Sequence, residues 1–485
     1  MTVVHRILYP YLIEDLAHYL RARGGQGLVA ARAMEPEQVI ELVAESGLRG
    51  RGGAGFPTGV KWSTVRRYSS DTLPASVVVN GAEGEPGTIK DRTILANDPY
   101  QVIEGALIAA HAVGAHEVII AVKKKEAAVV SRVRAAVAEV VAAGWADGVA
   151  LEVGEGPEEY LFGEETALLE VLDGRYPFPR VNPPWRRGLD ELIESGVDVS
   201  IRSNVSARRE MAGPTDAPPT LVNNVETIAN VAHILSRGAR WFRNDGTEQT
   251  PGTFVCTISG DVVNARCAEV LAGTTLREAI EEVGSGVARG RTIKAVLSGV
   301  ANKVITPDLL DTPITYEDMR ALGVGPGSAG FIVFDDTADM AAVAAGVSRF
   351  LATESCGQCT PCKHDGLTIS GELGLLVGDE AGGHDLDVVR HRLDTVATGA
   401  RCFLASQHEV CVGSILDAFP DDVAAHRTRS VPARQPALIT ELLSVVAGES
   451  TWDEQFVTKQ PDWTHGGSWG GATPADRYRD HLPPG

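Results

Sequence analysis

The chain has 485 residues, of which 44% are hydrophobic and 22% charged, and its formal net charge at pH 7 is −20. Such a composition is typical of a globular protein of roughly two to four domains and excludes a fibrous or disordered chain. The acidic balance argues against nucleic-acid binding, which needs a positive surface to neutralise phosphates, and it provides no basic patch for anionic lipid.

The sequence predicts no direct membrane insertion, because it has no run of about eighteen apolar residues. Its first residues lack the charged, apolar and small-residue regions of a signal peptide. Seven cysteines are an odd number, which favours a reducing cytoplasm over a framework of disulfides. We therefore expect a cytoplasmic protein in which Cys256, Cys267 and Cys411 are ordinary core residues.

The N-terminal half alternates helix and strand patterns, which predicts parallel βαβ units and an α/β fold. A Pro-rich stretch from Tyr176 to Thr220 interrupts it and is interpreted as a long excursion or lid-like loop. Asn223 is then predicted to cap a helix, with Glu226 as its capping-box partner. The helices are predicted at 36–45, 100–113, 123–143 and 223–235, and the strands at 76–80, 117–122 and 149–153.

From Gly252 the pattern changes to short strands and turns, which predicts a compact α+β domain. Helical periodicity returns after Asp336 and predicts a small all-α domain that contains four of the cysteines. Beyond Gly448 the chain is polar and rich in Gly and Pro, as expected of a flexible tail or of one draped over a partner.

A glycine-rich segment from Leu48 to Lys61 holds five glycines in ten positions. Backbone N–H groups without neighbouring Cβ atoms can approach a phosphate closely, and Lys61 supplies a positive charge. Arg49 and Arg51 strengthen this anion-binding hypothesis, while the alternative is a merely flexible surface loop. The spacing matches neither the dinucleotide-binding Gly-x-Gly-x-x-Gly pattern nor a P-loop.

Two acidic segments form the next candidates. Asn80 to Thr88 follows an apolar strand, where ligands bind in open α/β sheets, and its Glu83 and Glu85 can accept hydrogen bonds from hydroxyl groups. The alternative is a solvated turn. Glu164 and Glu165 begin a predicted helix, where acidic residues are also favourable simply because of the helix dipole.

The cysteines carry the most specific signal. Cys356, Cys359 and Cys362 form Cys-x-x-Cys-x-x-Cys, and Cys402 follows forty positions later. Three thiolates at this spacing plus a distant fourth are typical of a [4Fe–4S] cluster. A structural zinc site is the chemical alternative, although zinc sites more often use two separated Cys-x-x-Cys pairs.

Together these segments resemble the NADH-binding flavoprotein (51 kDa) subunit of respiratory complex I. They are equally similar to the diaphorase subunits of NAD-linked hydrogenases and formate dehydrogenases. The resemblance rests on the order of the motifs: the glycine loop, Asn-x-x-Glu-x-Glu-Pro-Gly, Gly-Glu-Glu-Thr-Ala-Leu, Asn-Asn-Val-Glu-Thr and the cysteines. It covers about residues 30 to 440.

The resemblance implies a Rossmann-like α/β domain that binds FMN and NADH (1–245), an α+β β-grasp-like (SLBB) domain (246–336), a helical-bundle [4Fe–4S] domain (337–447) and a polar tail (448–485). The implied FMN contacts are Gly50, Gly52, Gly53, Lys61, Asn80, Glu83, Gly163, Glu164, Asn223 and Asn224. The implied NAD(H) contacts are Phe56, Lys61, Glu85, Glu165 and Trp185. The implied cluster ligands are Cys356, Cys359, Cys362 and Cys402.

The chain departs from the family pattern at three places. An expected acidic residue is Ala82, an expected aromatic residue is Thr64, and a segment that is Lys-Pro-Pro-Phe in relatives is here Asn182-Pro-Pro-Trp185. Residues 188–216 also resemble an insertion. These changes concern the affinity for the nucleotide and the choice between NAD and NADP more than they concern the cluster.

The resemblance implies an NADH:acceptor oxidoreductase that moves hydride from NADH to FMN and single electrons onward through the cluster. Its implied partners are a [2Fe–2S] thioredoxin-like subunit and further electron-transfer subunits, in the cytoplasm or on the cytoplasmic face of a membrane complex. The cofactors carry the reaction, so no side chain is predicted as a nucleophile or general base. The alternatives are a diaphorase that reduces NAD+, a non-catalytic electron relay and a zinc-stabilised binding protein.

Overall fold

The computed structural model describes residues 3–70, 74–180, 219–378 and 384–461. The strands are β1 (Val3–Val4), β2 (Ala75–Gly81), β3 (Ala115–Lys123), β4 (Ala150–Gly156), β5 (Thr220–Asn224), β6 (Thr253–Gly260), β7 (Arg266–Leu271), β8 (Ile293–Ser298), β9 (Gly330–Asp335), β10 (Leu442–Val446) and β11 (Glu449–Trp452). The helices are α1 (Leu16–Arg21), α2 (Gln26–Arg32), α3 (Pro36–Ser46), α4 (Thr58–Tyr68), α5 (Lys90–Asn97), α6 (Pro99–Val113), α7 (Ala127–Ala142), α8 (Glu165–Leu172), α9 (Val225–Arg237), α10 (Ala239–Arg243), α11 (Leu276–Gly284), α12 (Tyr316–Ala321), α13 (Met340–Glu354), α14 (Thr360–Val377), α15 (Leu386–Thr395), α16 (Leu404–Gln407), α17 (Gly413–Ala418) and α18 (Pro420–Arg427).

A four-stranded parallel sheet, in the order β4–β3–β2–β5, forms the centre of the N-terminal half. Helices cover it, and α6 is buried around most of its circumference between the sheet and helices α2 and α9. The central strand β2 is apolar along most of its length because both of its faces are covered. The predicted α/β organisation with a parallel sheet is confirmed.

A second sheet of five strands, in the order β1–β7–β6–β9–β8, follows in the middle of the chain. Its strands β6, β7, β8 and β9 and helix α11 lie in the predicted α+β region. The N-terminal strand β1 was not predicted there. It pairs with β7, and the Glu269 carboxylate accepts the backbone N–H groups of Arg6, Ile7 and Leu8 at 2.7, 2.9 and 3.0 Å. The chain therefore begins in the second sheet and not in the first.

The C-terminal region is helical from α13 to α18, as predicted. One turn of it, His408–Val412, is a π-helix between α16 and α17. Such widened turns are rare and often occur near functional sites.

Residues 434–461 form an extended segment that we call the C-terminal strap. Its Ala437 N–H bonds to the carbonyl of Ala342 in α13, at 2.9 Å. Its Glu441 pairs with Lys125 at 2.6 Å, and its Gly448 carbonyl accepts from Ala265 beside β7 at 2.8 Å. The strap thus contacts all three regions of the fold, and its strands β10 and β11 pair across Gly448. Residues 449–461, the first part of the predicted polar tail, form β11 and a short 3₁₀ turn in which Phe456 is buried. Among the described helices, none combines the length and the apolarity that crossing a bilayer requires.

Candidate functional site

Several predicted FMN and NAD(H) residues, among them Asn80, Gly163 and Asn224, lie at the carboxyl edge of the parallel sheet, a region that we call the cleft. Strands β2 and β5 are neighbours there, and Asn80 lies beside Asn224 in the register. The Asn80 side-chain amide donates to the carbonyl of Gly163 at 2.9 Å, which ties the end of β2 to the turn before α8. Polar groups at the carboxyl ends of parallel strands are where open α/β sheets bind ligands.

The glycine loop closes on itself before α4. The Gly50 N–H donates to the carbonyl of Phe56 at 2.8 Å, and between these residues Gly53 and Gly55 adopt positive φ values of 128° and 64°. A Cβ at Gly55 would lie 2.3 Å from the Tyr316 ring, whereas at Gly53 the nearest neighbour is 4.0 Å away, so the loop has one packed side and one open side. The open side is where a phosphate can approach the backbone.

The two arginines of this loop do not face that open side. The Arg51 guanidinium is buried, donates to the carbonyls of Thr253 and Pro251 at 3.1 and 3.0 Å, and lies 4.3 Å from the ring centre of Phe254. The Arg49 guanidinium stacks on Tyr316 at 4.5 Å. The expectation that they bind an anion is therefore wrong, because Arg51 anchors the loop to β6 and Arg49 anchors it to the Tyr316 ring of α12.

Lys61 and Glu165 come together from α4 and α8 and form an ion pair whose side chains stay partly exposed. Phe56 lies half-buried at the end of the glycine loop. The residue after Lys61, Trp62, donates its indole N–H to the Asn223 side chain at 2.8 Å. The helix after the loop thus supplies a cation to the cleft and holds one of the two predicted asparagines in place.

Glu164 caps helix α8: its carboxylate accepts the N–H groups of Thr166 and Ala167 at 3.0 and 2.8 Å. Burial raises the pKa of Glu164, and these bonds oppose that rise. Gly163 has no room for a side chain, because a Cβ would lie 2.8 Å from the carbonyl of Ala82. The backbone carbonyl of Ala82, one of the departures from the family pattern, therefore lies in close contact with this turn.

Glu83 points back into the protein. Its carboxylate accepts from the guanidinium of Arg92 at 3.2 Å, from the Thr88 hydroxyl at 3.2 Å and from the Asp91 N–H at 3.1 Å. It holds the start of α5 against the loop that follows β2. Its direct contact with a ligand stays a prediction, since these donors already use its oxygens.

A buried charged cluster lies beneath the cleft and was not predicted. The Lys90 ammonium is fully buried and contacts the Asp91 carboxylate at 2.7 Å, the Glu226 carboxylate at 3.1 Å and the Asn224 side-chain oxygen at 3.0 Å. Burial lowers the pKa of Lys90, but these carboxylates outweigh it and leave that pKa raised. The signal in the sequence was the charged triplet that begins at Lys90, directly after a glycine-rich segment.

Glu85 joins the cleft to the second sheet. One carboxylate oxygen accepts the backbone N–H of Val300 at 2.7 Å, and the other accepts the Tyr160 hydroxyl. Burial raises the pKa of Glu85, and both bonds oppose the rise. Tyr160 could have been suspected as an aromatic residue three positions before the Gly-Glu-Glu motif. Val300 contributes only its backbone N–H, so its side chain gave no indication of this role in the sequence.

The structure describes only some of the positions at which the chain departs from the family pattern. The Thr64 hydroxyl donates to the carbonyl of Val60 within α4 at 2.9 Å, so it adds no aromatic wall to the cleft. Asn182, Trp185 and the predicted insertion at 188–216 lie outside the described residues, as does most of the predicted lid-like loop. The nucleotide contact of Trp185 therefore stays a prediction.

The open side of the glycine loop, the Lys61 cation and the amide and carboxylate groups around it suit a flavin phosphate and its hydroxylated chain. These residues fit FMN: the backbone near Gly53 leaves space, and Lys61 supplies the charge that an anion needs.

The four predicted cluster cysteines line one cavity, with Leu161, Pro179, Ser355, Ala400, Arg401, Leu404 and Ala405. Cys356 lies in the turn before α14, where Gly357 has a φ of 71°, and Cys359 and Cys362 lie at the start of that helix. Cys402 reaches the cavity from the turn before α16. Nearly all other lining groups are apolar, as a shielded redox centre needs.

The four thiols are the donor set that a cluster requires. Four thiols around a common cavity suit a cluster, in which each iron takes one thiolate. Burial raises the pKa of the Cys356 thiol, and it raises the pKa of Cys362 to about 12.

Two groups contact the thiols directly. The Gln358 side-chain amide donates to the Cys356 sulfur at 3.4 Å, and the Ser355 hydroxyl lies 3.3 Å from the Cys362 sulfur. Arg401 holds Gln358 in place at 2.9 Å. Such bonds orient metal ligands and tune the centre that they hold.

Comparison with known proteins agrees with both sites. Residues 43–233 match the family described as Nuo51 FMN-binding domain. Residues 342–426 match the one described as NADH-ubiquinone oxidoreductase-F iron-sulfur binding region.

Similar whole proteins cover most of the chain. The second F subunit of NADH-quinone oxidoreductase in Rhizobium meliloti is 38% identical over 68% of this chain and 74% of its own length. The F subunit of the same enzyme in Mycobacterium tuberculosis is 35% identical over 84% of this chain and 88% of its own length. The HndC subunit of the NADP-reducing hydrogenase of Solidesulfovibrio fructosivorans is 32% identical over 85% and 81%. A chain of a NAD+-reducing [NiFe]-hydrogenase structure is 29% identical, with a TM-score of 0.71, and the match covers 85% of this chain and 66% of its own.

Proposed function

We infer the function from one premise: the chain belongs to the family of the F subunits of NADH-quinone oxidoreductase, which has relatives among the NAD-reducing hydrogenases. It is an oxidoreductase subunit that oxidises NADH and uses FMN and a [4Fe–4S] cluster. The finer assignments below are our proposals.

One observation carries the electron-transfer function: the cleft and the cluster cavity share a wall. The short turn Tyr160–Gly163 contributes Leu161 to the lining of the cysteine cavity, while the Gly163 carbonyl accepts from Asn80 in the cleft. A single turn of the chain thus separates the flavin side from the cluster side. Transfer of single electrons between two centres requires this closeness.

When bound, FMN accepts hydride from NADH and passes electrons singly, which the nucleotide cannot do. The protein's part is to bind, orient and shield. The backbone of Gly50, Gly52 and Gly53 leaves room for the flavin phosphate, and Lys61 balances its charge. Asn80, Glu164, Asn223 and Asn224 are bonded to neighbouring protein groups, so they present fixed polar groups to the flavin.

For the nucleotide we assign Phe56, Lys61, Glu85 and Glu165, with Trp185 as a stacking surface. Lys61 and Glu165 form a partly exposed pair that an arriving nucleotide can rearrange. We keep Glu83 among the residues assigned to the flavin: Arg92, Thr88 and Asp91 fix its carboxylate in place beside the loop that follows β2.

At the level of domains, we propose a Rossmann-like FMN and NADH domain, a β-grasp-like domain that also includes β1, and a helical-bundle cluster domain, joined by the C-terminal strap. We propose that the chain works in a larger complex with a [2Fe–2S] thioredoxin-like subunit, in the cytoplasm or on the cytoplasmic face of a membrane complex. The relatives named above are themselves subunits of NADH-quinone oxidoreductase and of a hydrogenase.

The test is anaerobic purification followed by metal analysis and absorption spectroscopy. We expect iron rather than zinc, and a flavin band that NADH bleaches. Iron without flavin would support the non-catalytic relay, and zinc without colour would contradict both redox functions. Titration with a reductant and NAD+ then tests the reverse direction, as in the hydrogenase relatives.

A further inference from the structure

A chain of hydrogen bonds connects the helix after the last cluster cysteine to the cleft. The Gln407 side-chain amide donates to the Tyr160 hydroxyl oxygen at 2.9 Å, and that hydroxyl donates to one oxygen of Glu85. The second oxygen of Glu85 accepts the Val300 N–H at 2.7 Å. Gln407 stands five positions after Cys402, so the chain begins beside the cluster cavity and ends in the cleft.

The direction of these bonds follows from the donors available. A carboxamide N–H can only donate, so the Tyr160 oxygen must accept from Gln407, and its single proton is left for Glu85. Without Gln407 the hydroxyl is free to rotate away from Glu85 or to accept a hydrogen bond from another donor. Gln407 therefore determines what Tyr160 offers to the carboxylate.

The intermediate group is held firmly. The Tyr160 N–H donates to the Glu354 carboxylate at 3.0 Å, and its ring packs edge-on against Phe350 with ring centres 5.3 Å apart. Burial and the Glu85 charge raise the pKa of Tyr160 well above its ordinary value, so the hydroxyl keeps its proton at neutral pH.

The donor is equally fixed. Gln407 is only 4% exposed, and the neighbouring His408 ring bonds to the Ser348 hydroxyl of α13 at 2.7 Å. The two adjacent residues thus tie the end of α16 to Tyr160 and the start of the π-turn to α13.

We propose that Gln407 is a positioning residue for NADH oxidation: through Tyr160 it fixes the orientation of the Glu85 carboxylate, which in turn positions the nicotinamide nucleotide. This inference rests on the proposed role of Glu85 in the cleft and adds a residue of the cluster region to it. Gln407 touches neither the nucleotide nor the flavin, so it acts only through Tyr160.

The test uses the full chain loaded with FMN and cluster, with steady-state oxidation of NADH by ferricyanide. Gln407→Leu should raise KM for NADH roughly fivefold, the value of one hydrogen bond, and leave kcat within about twofold. Gln249→Leu, at an exposed site, is the control and should change neither constant.

A double-mutant cycle separates positioning from general damage. Tyr160→Phe should raise KM at least as much as Gln407→Leu, and adding Gln407→Leu to it should change nothing further. Independent, multiplying effects on KM would overturn the proposal, and so would an unchanged KM in Gln407→Leu. The electron paramagnetic resonance signal of the reduced cluster should stay the same in both variants.

Gln407→Glu covers the case in which the leucine variant does not retain its cluster. It keeps the size of the side chain but replaces the donor with an acceptor that competes for the Tyr160 proton, so KM should rise at least as much. Loss of the cluster from both variants would assign Gln407 to folding and refute the positioning role. A wild-type protein that does not oxidise NADH would instead contradict the proposed function.

Discussion

In the cleft most of the predicted site residues are already bonded to other protein groups, whereas in the cluster cavity the thiols themselves face the shared space. Asn80, Glu83, Glu85 and Glu164 each hold a neighbouring turn or helix. The side-chain hydrogen bonds to the thiols are two long ones, to Cys356 and Cys362. The cleft is thus preorganised by its own network, whereas the cavity is mostly apolar and Arg401 is the charged residue in its lining.

This difference predicts that a single substitution in the cavity can abolish cluster binding, whereas a single substitution in the cleft reduces stability or ligand affinity only in part. The largest effect is expected for Cys402→Ser, because the cavity has one thiol for each iron site. The iron content should fall well below that of the wild-type protein, and electron transfer to a partner should be lost while FMN stays bound. Iron analysis and flavin fluorescence measure the two. Cys411→Ala, at a buried thiol that does not line the cavity, should retain iron.

The buried charges beneath the cleft should give the next largest effect. Lys90→Met leaves the Asp91 and Glu226 carboxylates without their cation, which should lower the free energy of unfolding by about 3–5 kcal/mol. Chemical denaturation measures this loss. Lys124→Met, at an exposed position, should cost less than about 0.5 kcal/mol. Equal losses in the two variants would contradict the network.

At the open side of the cleft the effect should be smaller. Lys61→Met removes a cation that we assign to the flavin phosphate, so FMN affinity should fall by about 1.5–3 kcal/mol, or roughly 10- to 150-fold. Fluorescence titration of the flavin-free protein with FMN measures it. An unchanged FMN affinity would show that the phosphate does not bind at Lys61. The cluster content of the variant should equal that of the wild-type protein.

The smallest effect concerns pH in the cluster region. Burial lowers the pKa of His408 to about 3, so folding disfavours its protonation. Its stabilising contribution is complete above the unfolded pKa of about 6.5 and is lost as pH falls from there towards 3, by at most about 1.4 kcal/mol per pH unit. Unfolding at pH 7 and at about pH 5.5 should show this slope. His408→Gln should flatten it, whereas His391→Gln, at an exposed ring, should not.

Much of this molecule was predictable because its signals are local. The order of strands and helices follows from hydrophobic periodicity, and the cysteine spacing alone pointed to a metal centre. The glycine loop, the Asn-x-x-Glu-x-Glu segment and the Gly-Glu-Glu start of α8 were recognised as site segments, and the structure brings them to one edge of one sheet.

The errors arose where a side chain has two possible partners far apart in sequence. Arg49 and Arg51 look like anion ligands beside glycines, yet they stack on the rings of Tyr316 and Phe254 in the second domain. The pairing of β11 with β10 across the Gly448 turn was likewise not predicted. Local composition cannot show such pairings.

The sequence by itself determined the types of element, the chemical identity of the ligands and the family, because these depend on residue type and spacing along the chain. Only the tertiary structure decided which charged side chains form ion pairs within the protein, as Glu83 and Lys90 do. It also placed Gln407 next to Tyr160, 247 positions away. The physical reason is that burial and hydrogen bonding depend on distances in space. Contacts between segments that are far apart in the sequence determine those distances.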